Sequence, residues 1–180
     1  NAVGIQPDLI IARSVVPMDE PRKKKLAVNC NLHEKDIISA PDVASIYEAP
    51  VNFEKERLGD RVLEKFGLKR RRRDLGPWRA LVSRIRRASR PVRIGIVGKY
   101  FGSGDFTLAD SYISVIEALK HASWHWNRKP ELTWLNSELY ERDARALKEL
   151  LQFDGIVVPG GFGGRGIEGK IKAIEYVRKN

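Results

Sequence analysis

Short apolar runs alternate with polar, periodic stretches along the chain, and the two periods predict its elements. Leu9–Ala12 is a continuous apolar run that ends in the polar pair Arg13-Ser14, the pattern of a buried strand. Leu26–Cys30, entered from Lys23-Lys24-Lys25, and the Ile37-Ile38 run within Asp36–Ser39 predict a second and a third strand. Asn52–Phe66 reads as one helix, with Leu58, Val62 and Phe66 spaced by four and Gly67 as its stop. Pro77 opens another, in which Trp78, Leu81, Val82 and Ile85 fall at i, i+3, i+4 and i+7.

From Pro91 the pattern becomes regular. A strand at Val92–Val97, a helix at Leu108–Ser123, a strand at Glu131–Leu135 and a helix at Arg142–Leu151 follow in turn. The strand Ile156–Val158 and a helix carrying Ile171, Ile174 and Val177 complete the series. Strand–helix alternation predicts parallel sheets with helical crossovers. The expected class is α/β, with two partial doubly wound parallel-sheet domains joined by a basic helical linker. The expected boundaries are 1–67, 68–90 and 91–180. Phe101–Phe106 reads as a small polar insertion after Gly98-Lys99-Tyr100.

Charge changes this picture only locally. Of the formal net charge of +10, nearly all lies between Lys69 and Arg90, where ten basic residues face one acid, Asp74. Such a segment is a solvated connector face or a surface for an acidic partner or a nucleotide phosphate. Nucleic acid is the weakest of these readings, because no aromatics are interleaved with the arginines. Trp124-His125-Trp126 reads as rim packing at a helix end. No run reaches the length of a membrane span, and Asn1–Asp8 has neither the basic start nor the apolar core of a signal peptide. A single cysteine, Cys30, excludes an internal disulfide and fits a reducing compartment. Cys30 reads as a small core residue. His33, His121 and His125 have no metal-ligand spacing, so no metal site is expected.

Candidate chemistry gathers after the last strand. Asp154-Gly155-Ile156-Val157-Val158 stops at Pro159, and five glycines occupy the next seven positions, Gly160 to Gly166. A glycine-rich turn between a strand and a helix presents backbone N–H groups at the carboxyl edge of a sheet, where anions bind. No Gly-Lys-Ser/Thr follows, so the turn is not a phosphate loop. In the first half, Lys25 before one strand and Asp42 after another face either solvent or a ligand.

Five stretches resemble the CTP synthase family: Gly4–Asp8 through Arg13-Ser14, Lys25–Asn31, Asp42–Glu48, Gly98-Lys99-Tyr100 with Asp110–His121, and Val158–Lys170. The resemblance implies the end of an amidoligase domain, a connector and the start of a class I glutamine amidotransferase domain. In that family ATP phosphorylates the 4-oxygen of UTP, and ammonia from glutamine displaces the phosphate. By position it implies that Lys25 meets UTP or CTP, and that Arg13, Asp42 and Val43 belong to the ATP site. Gly160 and Gly161 would bind glutamine and the oxyanion, and Lys99 and Phe162 would be tied to activation by GTP. Mg2+ and ATP would serve the complete enzyme, a cytoplasmic homotetramer. The family's nucleophilic cysteine is expected beyond Asn180 and its phosphate loop before Asn1, so no catalytic residue is expected here and the chain alone is expected to be inactive. Two alternatives stand beside this reading. One is a different class I amidotransferase, supported by 91–180 alone. The other is a non-catalytic module that binds an acidic partner through the arginine-rich linker.

Overall fold

The computed structural model describes residues 4–70, 74–99, 112–161 and 163–180. The chain forms two compact units, Asn1–Val82 and Ser83–Asn180.

The first unit is built on two parallel strands, β1 (Ile10–Ser14) and β2 (Ile37–Pro41), paired from Ile10↔Ile37 to Ser14↔Pro41. Parallel strands need a crossover, and the crossover is helix α1 (Glu20–Cys30). Leu26–Cys30 is therefore helical, contrary to the strand expected from its apolar run. The deciding signals are at the ends. Asp19 accepts from the Arg22 N–H at 3.0 Å, and Pro21 fits the first turn. At the other end Asn31 adopts a left-handed conformation and caps the Ala27 carbonyl. Only Ala27 of the run is buried; Val28 is 74% exposed.

Asn52–Phe66 also departs from expectation, dividing into α2 (Ala49–Lys55) and α3 (Leu58–Lys65). The break is Arg57, held at φ 59° with its guanidinium on Asp60. Beside it, the Glu56 carboxylate is drawn away to Lys23 Nζ at 2.9 Å and to the Ser39 N–H at 3.1 Å. Local periodicity favours one helix, and these distant partners end it early. Helix α4 (Gly76–Arg87) begins after Asp74, whose side chain accepts from the Gly76 N–H. Its apolar stripe buries Val82, and the Trp78 indole donates to the Tyr47 carbonyl at 2.7 Å.

The second unit has three parallel strands in the order β4-β3-β5: β3 (Arg90–Gly98), β4 (Arg128–Asn136) and β5 (Gly155–Val157). Helix α5 (Ile113–His125) joins β3 to β4. The connection from β4 to β5 is α6 (Ser137–Arg142) followed by a 3-10 segment, Ala144–Gln152; the sequence suggested one helix there, from Arg142. Asn136 caps α6 through the Glu138 N–H, and the buried Tyr140 hydroxyl donates to Glu149 at 2.6 Å, tying α6 to that segment. Burial and the Glu149 carboxylate hold the Tyr140 phenol well above its usual pKa. Val97, Leu135, Tyr140, Leu147, Leu150 and Ala173 form the core on one face of the sheet, under α6 and α7 (Ile167–Lys179). Ile96, fully buried and next in line, belongs to the opposite face. No helix among the described residues is long and apolar enough to cross a membrane.

Two contacts fix this unit. A Cβ on Gly169 would lie 1.7 Å from the Ser137 carbonyl oxygen, so α7 approaches α6 with no room for a side chain. Gly169→Ala is expected to destabilise the unit by about 3 kcal/mol or more through overpacking, whereas Gly155→Ala, with no atom within 4 Å of its added Cβ, should cost far less. Urea denaturation midpoints compare the two. The second contact is Asp154, which accepts from the Arg93 backbone N–H at 2.8 Å and from its guanidinium at 3.0 Å. The Arg93 side chain, then its backbone N–H, hold this carboxyl below its ordinary 3.8. A lowered folded pKa stabilises above the unfolded value, and that stability is lost as pH falls through the lowered one. Asp154→Asn should therefore flatten the fall of urea midpoint below about pH 4; an unchanged acid limb would refute the pairing.

Candidate functional site

The glycine turn leaves β5 at Val158-Pro159 and enters α7 at Ile167. Gly163 (φ 78°) and Gly166 (φ 74°) take the left-handed conformation, and a Cβ on Gly166 would stand 2.5 Å from Ser137 Oγ. Gly160 and Gly161 are exposed, and among the described residues their N–H groups have no acceptor.

Two lysines hold the turn at two points. Lys170 Nζ donates to the Pro159 carbonyl at 2.7 Å, and Lys99 Nζ, only 5% exposed, donates to the Gly163 carbonyl at 2.8 Å. In a trans peptide the carbonyl and the following N–H point in opposite directions. Lys170 therefore turns the Pro159 carbonyl toward α7 and the Gly160 N–H away from it. Lys99 does the same for the Gly164 N–H. Burial first, and then the charge of Lys99, lower the Lys170 pKa. Arg165 closes the same corner, pairing with Glu138 at 2.8 Å and reaching the Lys99 carbonyl at 3.5 Å. Such a turn can receive a developing negative charge on fixed backbone donors.

Lys99 and the Gly160-Gly161 turn are thus brought together as neighbours of one loop. Phe162, the other residue expected here, lies outside the described residues, as do Phe101–Phe106 and Arg71–Arg73. The role of Lys170 was not read from the sequence. Its signal was there: a lysine in the first turn of a helix opposes the helix dipole and needs a compensating acceptor.

In the first unit the carboxyl ends of β1 and β2 bring Arg13 and Asp42 together, Nε to Oδ1 at 3.3 Å, with the Asp42 N–H on the Ser14 carbonyl at 2.8 Å. Both side chains are largely exposed, so the pair adds little to stability. Val43 follows, half-buried. Lys25 is not at a strand entrance as expected; it is an exposed residue of α1. Missed by the sequence is a partly buried set in which the Glu56 carboxylate accepts from Lys23 and from the Ser39 N–H. Among the described residues no group of three or more His, Cys, Asp or Glu side chains is placed to hold a metal ion.

A family model described as CTP synthase N-terminus matches residues 1–68, and one described as Glutamine amidotransferase class-I matches residues 107–180. Single relatives cover both halves. Over its full length the chain is 43% identical to the CTP synthase of Carboxydothermus hydrogenoformans and 44% identical to that of Thermococcus gammatolerans, in each case matching 32% of the relative. The chain belongs to the CTP synthase family. It spans about a third of the length of these curated relatives. A solved structure, the Trypanosoma brucei CTPS glutaminase domain with bound acivicin, is 38% identical over 49% of this chain and 33% of that one, with a TM-score of 0.43.

The lysine clamp is testable by NMR. In Lys170→Met the Gly160 N–H order parameter should fall from about 0.85 toward 0.6. Lys172→Met, which removes a donor to the Glu141 carbonyl instead, should leave it unchanged.

Proposed function

We propose that these residues supply parts of the two sites of a glutamine-dependent CTP synthase: the acyl-receiving turn of its glutaminase and a nucleotide-facing edge of its ligase. The observation that carries this reading is the unbroken match of one relative to both halves of the chain. A different class I amidotransferase would leave residues 1–68 without explanation.

In this reading 1–67 is the amidoligase portion, 68–90 the connector and 91–180 the glutaminase portion. When a cysteine thiolate attacks the glutamine amide, the carbonyl oxygen gains charge, and the exposed Gly160 and Gly161 N–H groups receive it. Lys170 and Lys99 are positioning residues: they hold peptide dipoles and do not touch the reacting atoms. Lys99 holds the Gly163 carbonyl, and a tie of this lysine to activation by GTP would reach the glutaminase through that turn. On the ligase side, UTP is phosphorylated by ATP and then aminated. Arg13, Asp42 and Val43 line the ATP end, and Lys25 offers an unburied ammonium to the pyrimidine nucleotide. ATP supplies the phosphoryl group that makes the 4-oxygen a leaving group. Among the described residues no group of three or more His, Cys, Asp or Glu side chains is placed to hold Mg2+.

The sole cysteine, Cys30, is half-buried in α1 of the other unit, away from the glycine turn in the sequence and in a separate element. The chain by itself is therefore expected to release no ammonia from glutamine. A coupled ammonia assay checks this, and clear turnover that survives Cys30→Ser would overturn the assignment of the missing nucleophile. Within a complete enzyme of this sequence, Lys25→Ala should weaken UTP binding and leave glutamine hydrolysis intact.

A further inference from the structure

Cationic side chains gather at the amino edge of the β3–β4 pair. Arg84, Arg86 and Arg87 end α4, Arg90 opens β3, and Arg128 and Lys129 open β4. The register sets Arg90 directly beside Arg128, so two guanidinium groups start adjacent strands on one sheet face. Like charges in that arrangement repel. The acid closest along the strands, Asp154, is already engaged by the Arg93 side chain and backbone, and Glu131 stands opposite Arg93 in register. Among the described residues Arg84, Arg87, Arg90, Arg128 and Lys129 form no ion pair.

The same corner is concave and aromatic. Arg84 and Arg87 line a cleft of about 340 Å³ with Trp124, His125 and Asn127. Asn127, left-handed at φ 55°, turns the chain from α5 into β4 and delivers Arg128 beside it. Trp126 is 75% exposed, edge-on to His125 with ring centroids 5.4 Å apart. Cations beside a helix carboxyl end ordinarily cap its carbonyls. Here the Trp126 and Asn127 N–H groups meet the last carbonyls of α5, and among the described residues neither Arg84 nor Arg87 donates to them. The guanidinium groups therefore remain available to a ligand.

We propose that this edge binds single-stranded nucleic acid. Phosphates would cross the Arg84–Arg87 cleft and the Arg90–Arg128 pair, and a base would stack on Trp126. The sequence separates the basic helix from the tryptophans by some forty positions; the fold sets them side by side. Cations on three neighbouring elements outnumber the charges of one compact triphosphate, and an exposed indole is better used by a base than by an acidic peptide. The chemistry is that of a backbone-tracking groove with a stacking platform.

Fluorescence anisotropy with a labelled oligouridylate, over salt from about 50 to 200 mM, tests this on the full chain. Binding should weaken with salt, and the Arg84→Gln/Arg87→Gln double variant should reduce the log–log slope by about 1.4. Trp126→Ala should weaken binding roughly tenfold and remove quenching of the indole on complex formation. These side chains are exposed, and circular dichroism verifies that the variants fold. Absence of salt-dependent binding would overturn the proposal. So would displacement of the oligonucleotide by polyglutamate at equal charge with Trp126→Ala unchanged, which would assign the face to an acidic protein.

Discussion

Where two helices meet backbone to backbone, the absence of a side chain is the contact. Gly169 allows α7 to lie against the Ser137 carbonyl at a distance that no Cβ fits, and Gly166 allows the preceding turn to close over Ser137 Oγ. The position of α7 then dictates the rest. It sets Lys170 against the Pro159 carbonyl and brings the loop to Lys99, and the Gly160 and Gly161 N–H groups have no acceptor among the described residues. The chemistry of the turn thus depends on a steric fact one helical turn away. Glycines 166 and 169 serve packing, and glycines 160 and 161 serve exposure, although all belong to one run in the sequence.

The strands were legible because each is a short apolar run bounded by polar or turn residues, and β1, β2, β3, β4 and β5 all fall where such runs are found. Leu26-Ala27-Val28 misled for the same reason: three consecutive apolar residues outweighed the capping set Asp19-Glu20-Pro21 that announces a helix. Helix α6 is too short to show a period, and only the cap at Asn136 marks it. The break at Arg57 was beyond reach of local pattern, since its cause is Glu56 reaching Lys23 and Ser39 across the fold. Of the candidate site, the turn itself was visible as strand, proline and glycines. Its lysine clamp was not, because Lys99 lies more than sixty positions upstream of the carbonyl it holds.

The two units treat charge differently. In the first, exposed pairs such as Arg13–Asp42 and Lys35–Glu64 neutralise one another at the surface. In the second, backbone carbonyls and Glu138 engage the cations at the carboxyl edge of the sheet, while at the amino edge Arg90 and Arg128 form no ion pair among the described residues. Exposed backbone N–H groups therefore lie at one end of this sheet, and the adjacent Arg90 and Arg128 at the other.

The strand order β4-β3-β5 carries a further consequence. The chain leaves β3 toward one side to reach β4 and returns across it to reach β5 on the other, so the two crossovers diverge above the carboxyl end of β3. A crevice at that point is a topological necessity, present before any side chain is chosen. Lys99 is the residue immediately after β3, and its ammonium holds the glycine turn at the Gly163 carbonyl. Evolution of a new ligand on this sheet would begin at the same place, because the winding of the chain, and not the composition of the turn, makes the opening.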